Sequence, residues 1–171
     1  MSPSTRKMAI AAVCVAVALA GFGFGASSFA HKQASERDLE LSERAARVTN
    51  LVLQVRRLQQ DALLDRVNRD SSASSSKQWD DSRALLSDAI ARTYDLHLND
   101  EDVQALRQIA ADYRVYVDGY ERVVALIRSG QVRTAQQAIE RISIYQDRVQ
   151  RMQANSAAIN ARALQRINKL S

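Results

Sequence analysis

"VQALRQIAADYRVYVDGYERVVALI", from Val103 to Ile127, keeps its apolar residues on one rhythm. Val103, Leu106, Ala110, Tyr113, Val117, Tyr120, Val124 and Ile127 recur in steps of three and four, which puts them on one face of an α-helix. The flanks agree with that reading. Asn99 or Asp100 supplies an N-cap, Glu101 and Asp102 put negative charge in the first turn, and "RSGQ" ends the helix with Gly130 as a left-handed C′ residue.

The same rhythm continues on both sides. Upstream, "LELSERAARVTNLVLQVRRLQQDALLDRV" carries Leu41, Val48, Leu51, Val55, Leu58 and Ala62 on a seam suited to a bundle or coiled coil. It runs into "NRDSSASSSKQ", Asn68 to Gln78, whose short hydroxyl side chains compete for the backbone and predict a loop. A shorter helix follows, with Trp79, Leu85, Leu86, Ala89 and Ile90 on its apolar side. Downstream of Gly130, a last seam runs through Ile142, Tyr145, Val149, Met152, Ser156, Ile159, Ala163 and Ile167. The expected fold class is all-α. Four helices, at about 31–69, 78–95, 100–129 and 131–171, close into an up-down-up-down antiparallel bundle, because short connections make neighbours antiparallel. The first and last helices are the longest, and both point back toward the N-terminal segment.

That segment is apolar. Residues 8–30 contain no charge, and a helix of that length spans roughly 34 Å, enough for a bilayer core. Arg6 and Lys7 place residues 1–7 on the cytoplasmic side, which leaves residues 31–171 in the periplasm behind a single pass through the inner membrane. No breaker separates this segment from the first bundle helix. The alternative is a signal peptide cleaved after Ala30, since Ser28-Phe29-Ala30 has the small residues that a peptidase requires. Cys14 is the only cysteine, so no intrachain disulfide forms.

The chain has 24 Lys and Arg against 19 Asp and Glu, a net charge of +5. The signs alternate along the sequence, and no basic block is interleaved with aromatics, so nucleic acid is not an expected partner. Chemistry for catalysis is missing too: there is no Gly-rich phosphate loop, nucleophile elbow or Cys/His cluster. His31 and His97, the only histidines, sit at the membrane border and in a turn. No metal, cofactor or enzymatic activity is expected.

Taken together, the N-terminal apolar helix, "QVRRLQQDALLDRVNRD" toward the end of the first helix, the Ser-rich turn, "YRVYVDGYERVVALIRSGQ" and the long last helix resemble the periplasmic four-helix-bundle sensor domain of methyl-accepting chemotaxis receptors of the aspartate/serine type. The resemblance covers nearly the whole chain. It implies a receptor that signals small-solute binding across the inner membrane in chemotaxis. It further implies a homodimer with ligand at the membrane-distal end, between the first helices of two subunits and the start of the fourth. The matching positions here are Arg56, Arg57, Arg66 and Arg69 on the first helix, and Arg133, Thr134, Gln136 and Gln137 on the fourth. Arginine suits a carboxylate because its fork bonds both oxygens, so the implied partner is a small anionic solute; the alternative is a periplasmic binding protein. Asp61 and Asp65 interrupt the arginine stretch and depart from the family pattern, so specificity for aspartate or serine is not carried over. The sequence ends at Ser171, where such a receptor would enter a second membrane helix.

Helix one is apolar on more than one side, with Val52 and Leu53 outside the main seam. This surplus predicts a dimer interface through Val48, Val52, Val55 and Gln59. Three other readings stay open. The arginines form a solvated face, with Arg57–Asp61 and Asp65–Arg69 paired four residues apart; the protein is an anchored or secreted adaptor or structural bundle of the cell envelope; or the bundle is the input of a sensor kinase.

Overall fold

The computed structural model describes residues 3–68 and 73–170, with side chains over 32–68 and 74–169. The fold is all-α, with five helices among the described residues. They are α1 (Pro3–Asn68), α2 (Ala73–Tyr94), α3 (Asp100–Arg128), α4 (Ala135–Ser143) and α5 (Gln146–Leu170). α1 packs on α5 and α2, and α3 closes the ring by packing on α5 and α2. The pairs are antiparallel: Ser42 bonds Asn160 and Thr49 bonds Ser156 across α1 and α5, while Gln54 bonds Ser82 across α1 and α2.

α1 is one uninterrupted helix. Proline is tolerated at its first position, where the missing N–H would have no partner in any case. The membrane helix expected over 8–30 lies outside the described side chains. Among the described residues, no helix is long and apolar enough to cross a membrane.

The last seam packs as its spacing predicts. Ile142, Val149, Met152, Ser156, Ile159 and Ala163 are all buried. The helix carrying it is not one piece, however. It starts at Ala135 and breaks at Ile144–Tyr145, where Tyr145 and Arg148 donate to carbonyls three residues back. The break seats the Tyr145 ring against Gly119 of α3, where a Cβ would lie 2.6 Å from the ring. Helix two begins earlier than expected, at Ala73, so Ser74 to Ser76 form its first turn rather than a loop. The first turn is where short hydroxyl side chains are tolerated best in a helix.

The seam of α3 is rotated from the apolar rhythm. Its buried line runs through Asp102, Leu106, Ile109, Asp112, Tyr116, Gly119, Tyr120, Val123 and Val124. Two carboxylates and a glycine belong to it, and counting apolar residues passes over all three. Leu85 of α2, expected inside, is exposed. The caps form where expected. Asn99 accepts from the Asp102 N–H at 2.7 Å, and Gly130 adopts φ 72° while its N–H and that of Gln131 reach the Ile127 and Leu126 carbonyls.

The core has two parts. One lies around Leu41 to Val55 of α1, Leu86 to Ile90 of α2, Leu106 to Tyr116 of α3 and Val149 to Ala163 of α5. The other lies at the opposite end, around Ala62, Leu63, Trp79, Tyr120, Val123, Val124, Val132, Ala138 and Ile142. The first part corrects the expected dimer interface. Val48, Val52, Val55 and Gln59 are buried inside the single chain, because α1 is flanked by partners on several sides and needs more than one stripe. Each buried valine is worth roughly 1.5–3 kcal/mol, so these residues are not free to meet a second copy. Of the surplus residues, only Leu53 is exposed, at 48%.

Candidate functional site

The far end of the molecule, away from the N-terminal segment, is built from the end of α1, the start of α2, the end of α3 and α4. Trp79 and Tyr120 stack there with ring centroids 3.8 Å apart, and the Arg83 guanidinium lies 4.9 Å from the centre of the Trp79 ring. Arg66 reaches in from α1 and donates from Nε to the Tyr120 hydroxyl at 3.4 Å. Burial pushes the Tyr120 hydroxyl above the ordinary tyrosine range, against the pull of Arg66, so it stays protonated at neutral pH.

Arg66 stands between two cavities. The first, about 320 Å³, is lined by Arg66, Trp79, Asp80, Arg83, Tyr120, Glu121, Val124 and Arg128. The second, about 390 Å³, lies between Arg66 and Val67 of α1 and Ile127, Gly130, Val132 and Arg133 beyond α3. Of the eight residues carried over from the resemblance, the structure brings Arg66 and Arg133 to one cavity. Arg69 lies outside the described residues. Arg56 and Arg57 sit lower on α1, Arg56 near the Tyr116 hydroxyl and Arg57 exposed. The expected Arg57–Asp61 pair does not form; the expected Asp65–Arg69 pair involves a residue outside the described set.

The fourth-helix residues have structural work. Thr134 is the N-cap of α4 and accepts the Gln137 N–H at 3.2 Å, while the Gln137 side chain accepts the Arg133 N–H at 2.9 Å. This reciprocal arrangement resembles a capping box. Arg133 donates from Nε to the Gly130 carbonyl at 2.8 Å, and Gln136 bonds Glu140. Arg66 and Arg128 pair with no carboxylate among the described residues. Trp79, 2% exposed, has an indole N–H with no hydrogen-bond partner.

Sequence reading missed a second set of polar residues, farther down the molecule. Asp112 is buried in α3 with its side chain 1% exposed, and it is held by Arg148 at 3.1 Å and Arg151 at 2.9 Å from α5. Gln108 adds a third bond at 3.0 Å. Burial pushes this carboxyl up, but the bonds from Arg151, Gln108 and Arg148 outweigh it and hold the group below the usual carboxylate range. Asp102, equally buried, takes Arg162 at 2.7 Å and Arg166 at 3.1 Å, and Arg166 also reaches Asp38 of α1 at 2.7 Å. Acids lying in line with Leu106, Ile109 and Tyr116, opposite arginines spaced three or four apart on α5, were the available signal. These are ties between helices rather than a ligand site, since each carboxylate is already ion-paired with arginine, even though Asp102 Oδ2 and Arg162 Nη2 make no hydrogen bond of good geometry.

Among the described residues, no group of His, Cys, Asp and Glu is placed to hold a metal ion. His97 is exposed in the α2–α3 turn, and the side chain of His31 lies outside the described residues. Compared with family models, curated proteins and solved structures, the chain matches none.

Proposed function

We propose that the chain is the sensor domain of a chemotaxis-type receptor. In this reading it is an up-down-up-down bundle that stands in the periplasm on the helix of residues 8–30 and carries ligand binding at its far end toward the inner membrane. The observation that carries the proposal is the placement of the two ends. α1 continues the N-terminal segment without a break, and α5 returns beside it, tied by Ser42–Asn160 and Asp38–Arg166. Arg66, the expected ligand residue that faces both cavities, lies at the opposite end. A ligand at Arg66 is therefore separated from the exit of α1 and α5 by the full height of the packed helices, as signal transmission requires.

Homodimerisation is part of the proposal, through the outer face of α1. Leu39 and Leu53 lie two heptads apart on that face and are 51% and 48% exposed. The test for ligand is a thermal-shift screen of small carboxylates on the full chain in detergent. A ligand at a hundred times its Kd should stabilise the protein by about 2.7 kcal/mol, and Arg66→Ala should abolish that response. The test for the dimer is Leu53→Cys in a Cys14→Ser background, which should cross-link across the two-fold axis.

One observation favours a second reading of the same end. α4 exposes Ile139, and its C-cap Ile144 is exposed beside Gln137, Glu140 and Arg141, a surface suited to a docking protein such as a periplasmic binding protein. If no carboxylate shifts the melting temperature, and Arg66→Ala melts as the wild type does, the signal enters through that surface or the chain is an envelope adaptor.

A further inference from the structure

We propose that the open cavity over Trp79, lined by α1, α2 and α3 of a single chain, is the seat of a small organic anion bound through a carboxylate. The inference rests on the ligand-sensing reading of the far end and narrows it to one of the two cavities flanking Arg66, within one subunit rather than between two.

The argument is a count of donors and acceptors. Two carboxylates line the cavity, Asp80 and Glu121, and Arg83 engages one oxygen of each, at 3.1 and 3.0 Å. Three arginines therefore stand against two acids, and the surplus is on the donor side. Arg66 and Arg128 have no carboxylate partner among the described residues. The Tyr120 hydroxyl accepts from Arg66, and its own proton has no acceptor there. The Trp79 ring packs on Tyr120 and under Arg83 as part of the cavity lining, and its indole N–H is buried without a partner. An indole nitrogen can only donate, and leaving it unmatched away from water is costly.

Such a set is complemented by a group with several lone pairs and negative charge. A planar carboxylate matches the arginine fork in two parallel bonds. Val124 adds an apolar wall for the body of the ligand, and about 320 Å³ is room for more than a bare carboxylate. The neighbouring cavity on the other side of Arg66 has a weaker claim. Beside the shared Arg66, its own arginine, Arg133, is already bonded to the Gly130 carbonyl, and the other lining residues are apolar or glycine.

Trp79 is the only tryptophan in the chain, so its fluorescence reports on the surroundings of this one ring, and the variants below assign the cavity. The full chain in detergent is titrated with succinate and benzoate, with inorganic phosphate at matched ionic strength as the comparison. A saturable emission change with a carboxylate and none with phosphate is expected. Arg128→Gln should weaken the response about 10- to 100-fold, the loss of one hydrogen bond to a charged group, while Arg133→Gln should leave it unchanged. The opposite pattern, with Arg133→Gln weakening a carboxylate that Arg128→Gln does not, would place the ligand in the other cavity. That result overturns this inference and leaves the sensor reading standing. A response to phosphate alone overturns the carboxylate assignment. No response to any anion removes both the seat and the small-ligand reading above it.

Discussion

The two ends of the helical ring are held together by different chemistry. Toward the N-terminal segment, α5 is tied to α3 and α1 by Asp112 with Arg148 and Arg151, Asp102 with Arg162 and Arg166, and Arg166 with Asp38, with Ser42–Asn160 and Thr49–Ser156 beside them. At the far end, the core is Leu63, Trp79, Tyr120, Val123 and Val124, and the charged groups around it are only partly matched. Buried ion pairs add little net stability over apolar packing, but they fix which residues face each other. The near end is thus held in a defined register. The far end sets Arg66, Arg128 and a buried indole N–H over an apolar core; the near end also keeps buried atoms without a hydrogen-bond partner, Asp102 Oδ2 and Arg162 Nη2, so what distinguishes it is its set of interhelical ion pairs.

The largest effect should come from the near end. Replacing Arg148 and Arg151 together by alanine leaves the buried Asp112 carboxylate with only Gln108, and should cost about 3–5 kcal/mol in urea unfolding. A cost below about 1 kcal/mol, typical of exposed pairs, would erase the distinction between the two ends. The same carboxylate gives the tie its pH dependence. Its folded pKa is depressed, so the stabilisation is fully present above the unfolded value of about 3.9 and is lost as pH falls through the lower folded value. Asp112→Asn should remove that part of the acid sensitivity, seen as a flatter decline in melting temperature between pH 5 and 2 on the order of its contribution.

The junction between the ends should respond next. Gly119→Ala drives a methyl into the Tyr145 ring and should destabilise by about 1–3 kcal/mol. In a Tyr145→Ala background the obstacle is gone, and the same substitution should stabilise by about 0.5–1 kcal/mol through helix propensity. A penalty that survives the loss of Tyr145 would mean the glycine answers to something other than that ring. The smallest effect belongs to the far end. Thr134→Ala removes the N-cap of α4 and should cost about 1 kcal/mol. Hydrogen exchange should show the loss in the first turn of α4, with α5 beyond the break at Tyr145 unaffected.

Much of this architecture is legible in the sequence, and the failures share a cause. The last seam packs as read because its residues are apolar or small at every step from Val149 to Ala163, so periodicity and burial coincide. α3 was read one step out of phase because its buried line includes Asp102, Asp112 and Gly119, whose burial depends on arginines and a tyrosine more than 25 residues away. No local pattern carries that information. The surplus on α1 was assigned to a second copy for the same reason: a single sequence shows how many stripes a helix has, but not how many neighbours cover them. At the candidate site, Arg66 was named as one of the positions that match the family resemblance. Trp79 was read only as part of an apolar face, because the missing partner of its indole N–H is a property of three-dimensional packing.

The α1–α5 seam also sets the order in which the chain can assemble. Asp38 and Arg166 are 128 residues apart, and Ser42 and Asn160 are 118 apart. α2 can fold back on α1 as soon as it is made, a local hairpin with a short loop to close. α5 must wait for the whole chain, and closing so long a loop carries an entropic cost that local pairs do not. In synthesis at about 5–20 residues per second, the flank of α1 that α5 covers stays bare for several seconds after α1 itself is complete. The pairs that fix the register of the finished molecule are therefore the last it can make, and its vulnerable interval for aggregation ends only when α5 docks.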